Sequence, residues 1–169
     1  MTPDAGPRHP EGDGGATPWL ERYEDTRGFS LLCPTGWERL PIPSGTETAF
    51  VAIAPGHGGD FHANIVLTVD DLPQDLDVAE WQAEVEPALD LTLEEYMLLD
   101  LERIDGPDGS MIRRLMHHVG PRSQPITAEQ WTRAHGPTGY TLTCSVATPA
   151  YDGLADLLAD VGRSLRFTP

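Results

Sequence analysis

The chain has 169 residues, room for one ordinary domain and short for two. Its 11 cations, all arginine, stand against 27 acids for a formal charge of −16, which repels phosphate backbones and anionic headgroups and so argues against nucleic-acid and membrane-surface binding. With 17 glycines and 16 prolines it is punctuated into short segments, which suits strands and turns better than a helical bundle.

Residues 1–18, MTPDAGPRHPEGDGGATP, carry four glycines and four prolines, and only Met1, Ala5 and Ala16 are apolar. Such a stretch buries too little surface to offset its ordering entropy. It is expected as a disordered tail, with residues 19–169 as a single domain. It shows no apolar core of a leader and no lipobox cysteine, and no apolar run anywhere reaches membrane-spanning length. A cytoplasmic location is the expectation. Cys33 and Cys144 sit among apolar neighbours of the same parity, the setting of buried free thiols, with a disulfide between them as the alternative.

In chain order, Phe29, Leu31 and Cys33 alternate as a strand that ends at the turn Pro34-Thr35-Gly36. Ala49–Ala54 and Ala63–Val69 read as two further strands. Asp77 caps a helix with Glu80 three residues on, and Val78, Trp81, Val85 and Leu89 form its stripe. Pro87 predicts a kink or break within it. Four strands follow over 96–104, 110–119, 126–135 and 140–147, joined by short turns and so antiparallel. Thr148 and Pro149 open a last helix striped by Tyr151, Leu154, Leu158, Val161 and Leu165, and Leu165-Arg166-Phe167 reads as a short closing strand. The order predicts an α+β domain, an α/β/α sandwich with one mostly antiparallel sheet flanked by helices.

Several strings in this order carry a family resemblance. They are GFSLLCPTGWERL, FVAIAP, FHANIVLTVDDL, the acidic helix around Trp81, DGSMIRR and YTLTCSVATPAYDGLADLLADVGRSLRF. Together, over about residues 20–167, the chain resembles the PsbP-like sandwich group, and within it the actinobacterial LpqN and DcrB-like proteins. The resemblance implies a non-catalytic binder, since the group includes photosystem assembly subunits, a Ran-binding factor and chaperones of secretion effectors. It supplies no catalytic residues and no cofactor. It points to a protein partner and a cytoplasmic adaptor or chaperone, because the lipoprotein signal of LpqN-type members is missing from these residues.

The chemistry-bearing residues are few. His57, Asp60 and His62 lie in one Gly-rich loop and could converge on a metal, although zinc asks for a further ligand. This is the alternative reading, a small-ligand or metal-binding domain. His117 and His118 are adjacent on a strand and point to opposite faces. No serine sits in a nucleophile elbow, and no phosphate-binding glycine motif occurs. Residues 70–105 hold 13 acids and the single arginine Arg103, either a solvated face or a dock for a basic partner. Thr127, Glu129, Trp131 and Arg133 share one face of a strand, with Trp131 either packed under a helix or lining a groove. Trp131, Arg133 and Glu129, with Thr141 and Thr143 of the next strand, are the candidate partner-binding residues.

Overall fold

The early apolar alternation is realised as strands in the computed structural model, which describes residues 19–56, 61–73, 76–106 and 108–168. Strand β1 (Leu20–Asp25) pairs antiparallel with β2 (Phe29–Pro34), Leu20 opposite Pro34 and Asp25 opposite Phe29. Gly28 closes the turn between them at φ 88°, a left-handed conformation open to glycine. The sequence reading did not find β1, because LERYED buries no side chain fully and shows little apolar alternation.

The second sheet has seven strands. They are β3 (Glu38–Arg39), β4 (Thr48–Ile53), β5 (Asn64–Asp71), β6 (Glu94–Gly106), β7 (Gly109–Val119), β8 (Pro125–His135) and β9 (Thr138–Ala147). Their spatial order is β3-β4-β5-β9-β8-β7-β6, with every neighbouring pair antiparallel. The last four form the expected meander. Strand β5 docks beside β9 instead of β6, so β9 and β8 become central and β6 is left outermost.

Helix α1 (Val78–Thr92) starts at the expected capping box: the Ala79 N–H donates to Asp77 Oδ1 at 3.2 Å and the Asp77 N–H to Glu80 Oε2 at 3.1 Å. The helix continues through Pro87 without a break, contrary to the sequence expectation. Pro87 leaves the Ala83 carbonyl without its usual donor, but both residues are exposed, so water can serve it. Helix α2 (Tyr151–Arg163) corrects a second expectation. Thr148 does not cap it: a 3₁₀ turn spans Thr148–Ala150, and Ala150 is the capping residue. The Thr148 hydroxyl instead meets Thr127 Oγ1 at 3.0 Å and His117 Nδ1 at 3.3 Å. A two-residue strand, β10 (Arg166–Phe167), then joins β2 to complete a three-stranded sheet β1-β2-β10.

The two helices lie on opposite faces of the large sheet, each seated by a tryptophan against a glycine. Trp81 of α1 covers Gly139 of β9, and Gly162 of α2 covers Trp131 of β8; at either glycine a Cβ would collide with the indole. The main core lies between the large sheet, the small sheet and α2. It contains Phe29, Leu31, Phe50, Ile65, Leu142 and Val161, together with the free thiols of Cys33 and Cys144. Burial pushes the Cys33 thiol up to about 11. A smaller cluster of Leu72, Val78, Trp81 and Ile112 seats α1. The expected sandwich is thus met in part: among the described residues strand dominates, there are two sheets, and each face of the large sheet carries a single helix.

Candidate functional site

Strand β8 carries most of the residues singled out by sequence, and the structure buries them. Trp131 is 0% exposed, Glu129 1% and Arg133 3%. Of the two alternatives for Trp131, packing under a helix is the one realised. Its indole N–H donates to Glu129 Oε2 at 3.2 Å, and the guanidinium groups of Arg113 and Arg163 lie 5.7 and 5.5 Å from the ring centre. The second Glu129 oxygen accepts from the Tyr151 hydroxyl and from Arg113 Nη2. Glu129 holds Arg113 more basic than usual, against the opposing effect of burial. Burial first, and then the Glu129 carboxylate, push the Tyr151 hydroxyl up to about 12.

Arg133 donates to the Leu165 carbonyl from Nη1 and to the Asp108 carbonyl from Nη2, both at 2.8 Å. It thereby ties β8 to the backbone just beyond α2 and to the turn between β6 and β7. All three side chains are buried and bonded inside the fold, so the trio acts as a clasp between β8 and α2 and is closed to a docking protein. The sequence assignment of Trp131, Glu129 and Arg133 as partner contacts is corrected on this ground. Residue types typical of interfaces also suit a buried seam when their polar ends are satisfied.

Thr141 and Thr143 are on the other face of the sheet. Each stands opposite a β5 residue, Thr68 and Val66 respectively, and both are half-buried. The structure therefore separates them from Trp131 instead of joining them to it. That same face carries a polar cluster under α1 which the sequence reading missed. Arg114, 1% exposed, donates from Nη1 to Gln82 Oε1 at 2.7 Å and to Gln130 Oε1 at 3.1 Å, and from Nη2 to Glu86 Oε2 at 2.7 Å. Its parity with buried Ile112 and Met116 was the available signal.

Of the metal candidates, His57 and Asp60 lie outside the described residues. His62 is half-buried, with Nδ1 3.2 Å from the Ala54 carbonyl, and lines a depression of about 230 Å³ with Ala54, Phe61 and Val146. Among the described residues no group of three or more His, Cys, Asp or Glu side chains could hold a metal ion. A larger depression, of about 430 Å³, is edged by Glu47, Asp70 and Asp71, where burial and the neighbouring carboxylates raise the Asp70 carboxyl. Among the described residues no helix is long and apolar enough to cross a membrane.

The exposed chemistry lies at β6. This 13-residue strand is one of the two edges of its sheet, and Met97, Leu98, Leu99 and Leu101 are 56, 39, 50 and 51% exposed. The ladder to β7 shifts register between Glu94 and Met97 and again between Leu98 and Asp100, then runs without interruption from Asp100 to Gly106. Across the second bulge Leu98 and Leu101 share the face of Met116 and Arg114, while Met97 falls on the face of His117. Part of the acidic segment surrounds them. Asp100 pairs with Arg113 at 3.1 Å, and Arg103 is occupied by Asp105 and Asp77. Among the described residues Glu94, Glu95 and Glu102 form no ion pair. The signal for this surface was present in the sequence: four apolar residues in five positions break the alternation of a one-faced strand.

No family model matches the chain, and no curated protein matches it in sequence. Solved structures do. Cyanobacterial PsbP (CyanoP) from Synechocystis matches with a TM-score of 0.67 at 17% identity, over 93% of this chain and 97% of that one. The Ran-binding protein Mog1p of Saccharomyces cerevisiae matches with a TM-score of 0.64 at 14% identity, over 89% and 96%. LpqN, involved in cell envelope biogenesis of Mycobacterium tuberculosis, matches with a TM-score of 0.66 at 16% identity, over 89% and 92%. With TM-scores of 0.64 to 0.67 and near-complete mutual coverage, the chain has the PsbP-like fold that CyanoP, Mog1p and LpqN share.

Proposed function

We propose that the chain is a non-enzymatic protein-binding module, an adaptor or chaperone acting on a protein partner in the cytoplasm. The observation that carries this reading is the apolar run Met97, Leu98, Leu99 and Leu101 on the outermost strand. A long edge strand offers unpaired backbone donors and acceptors, and apolar side chains beside them make it a pairing surface. Mog1p, which has the same fold, is a Ran-binding protein, so the fold is compatible with holding a protein. Among the described residues the depressions lined by His62 and by Glu47, Asp70 and Asp71 set no nucleophile beside a base, which favours binding over turnover. Two buried free thiols suit a reducing compartment.

Saturable capture from a native lysate tests the reading. The wild-type chain is expected to retain a protein partner that a Leu99→Ser, Leu101→Ser chain loses. Capture of nothing saturable, or equal capture by both chains, would overturn it.

A further inference from the structure

The β6 edge has a chemistry of its own that narrows the partner. From Asp100 to Gly106 the strand is regular, paired on one side to β7, with no strand beyond it among the described residues. Its other side therefore carries the main-chain groups that a further strand would use. The two faces of this edge differ. Register with β7 puts Leu98 and Leu101 on the α1 side, opposite Met116 and Arg114. Asp100 and Glu102 fall on the α2 side, opposite Leu115 and Arg113. Glu102 has no ion-pair partner among the described residues, and Asp100, paired with Arg113 at 3.1 Å, keeps its side chain 54% exposed. The single cation of the stretch, Arg103, is occupied by Asp77, Asp105 and Ser110.

Resting on the protein-binding reading above, we propose that β6 accepts an extended segment of a partner protein as an eighth strand. Alternate residues of that segment are basic and apolar. Its basic side chains lie beside Asp100 and Glu102, and its apolar ones beside Leu98 and Leu101. Charge decides against the other occupant an open edge invites. A second copy of this chain would bring the same acids to the same edge, with −16 on each molecule. The acids act as a filter, turning away acidic strands and admitting basic ones.

The test uses the full chain and synthetic peptides of about eight residues, a common strand length. The first peptide alternates lysine and valine, the second alternates glutamate and valine, and the third is the lysine peptide N-methylated at every second residue. Calorimetry is expected to show binding of the lysine peptide alone, weakening as salt rises. Hydrogen exchange is expected to show new amide protection within β6. Glu102→Lys and Leu101→Thr, both at exposed positions, are each expected to weaken binding about tenfold without shifting the melting temperature. Equal binding of the N-methylated peptide would overturn strand addition, and equal binding of the glutamate peptide would overturn the charge filter. No binding, or a concentration-dependent dimer that loses no mass in Leu101→Thr and excludes the lysine peptide, would overturn the proposal. Should the peptides fail while a native partner is still captured in a β6-dependent manner, the binding reading stands and the strand-addition inference falls.

Discussion

Strands β8 and β6 belong to one meander, and they reverse the usual link between residue type and location. Strand β8 presents Glu129, Trp131 and Arg133, the residues an interface is expected to use, and hides them under α2. Strand β6 presents methionine and leucine, the residues of a core, and leaves them open. The difference is position in the sheet. A central strand is covered on both faces, so a buried charge on it needs partners, which Trp131, Tyr151 and Arg113 supply to the Glu129 carboxylate. An outermost strand needs no such satisfaction, and its apolar groups stay exposed unless another molecule covers them.

The sharpest way to break this comparison is at Trp131. Trp131→Ala removes the side chain on which α2 rests and is expected to cost about 3–5 kcal/mol by chemical denaturation. Gly162→Ala attacks the same contact from the helix side by driving a methyl into the indole, with an expected loss of about 1–3 kcal/mol. A loss below the scatter of surface mutants in both would show that the clasp is not what seats α2.

Glu129→Gln keeps the shape and puts an amide nitrogen where one oxygen accepted. It is expected to cost about 1–3 kcal/mol, because one of the three donors loses its acceptor. The same cluster gives a pH signature. The hydroxyls of Tyr151 and Tyr96 are raised from the ordinary 10.0 to about 12, by burial and by their bonds to Glu129 and Glu86. Folding thus favours the neutral phenol. The contribution is complete below pH 10 and is lost as pH climbs toward 12, since the unfolded chain ionises first. Denaturation midpoints across that window should fall, and Tyr151→Phe should flatten the fall. An identical slope in the variant would remove Tyr151 as its source.

The smallest effect is expected at β6. Leu99→Ser should move stability by no more than about 0.5 kcal/mol, since little is buried there. Its consequence should be on association alone, read by partner capture. A large stability loss would mean that Leu99 is part of the fold's own packing and that the contrast between the two strands is false.

The local elements were legible in the sequence for local reasons. The capping box of Asp77 and Glu80, the apolar stripe of α2 and the turns of the meander depend on residues within a few positions of one another. The parity of β8 correctly grouped Glu129, Trp131 and Arg133, because period 2 assigns residues to a face. Whether that face meets a helix, a groove or water was decided only in the tertiary structure. So were the pairing of β1 with β2, the separation of Thr141 and Thr143 from Trp131, and the continuity of α1 through Pro87. All turn on what lies across from a segment, and that partner comes from elsewhere in the chain. The entry of β5 beside β9 made β8 central and left β6 at the edge, so a pairing some 70 residues distant in sequence determined which surface this protein offers.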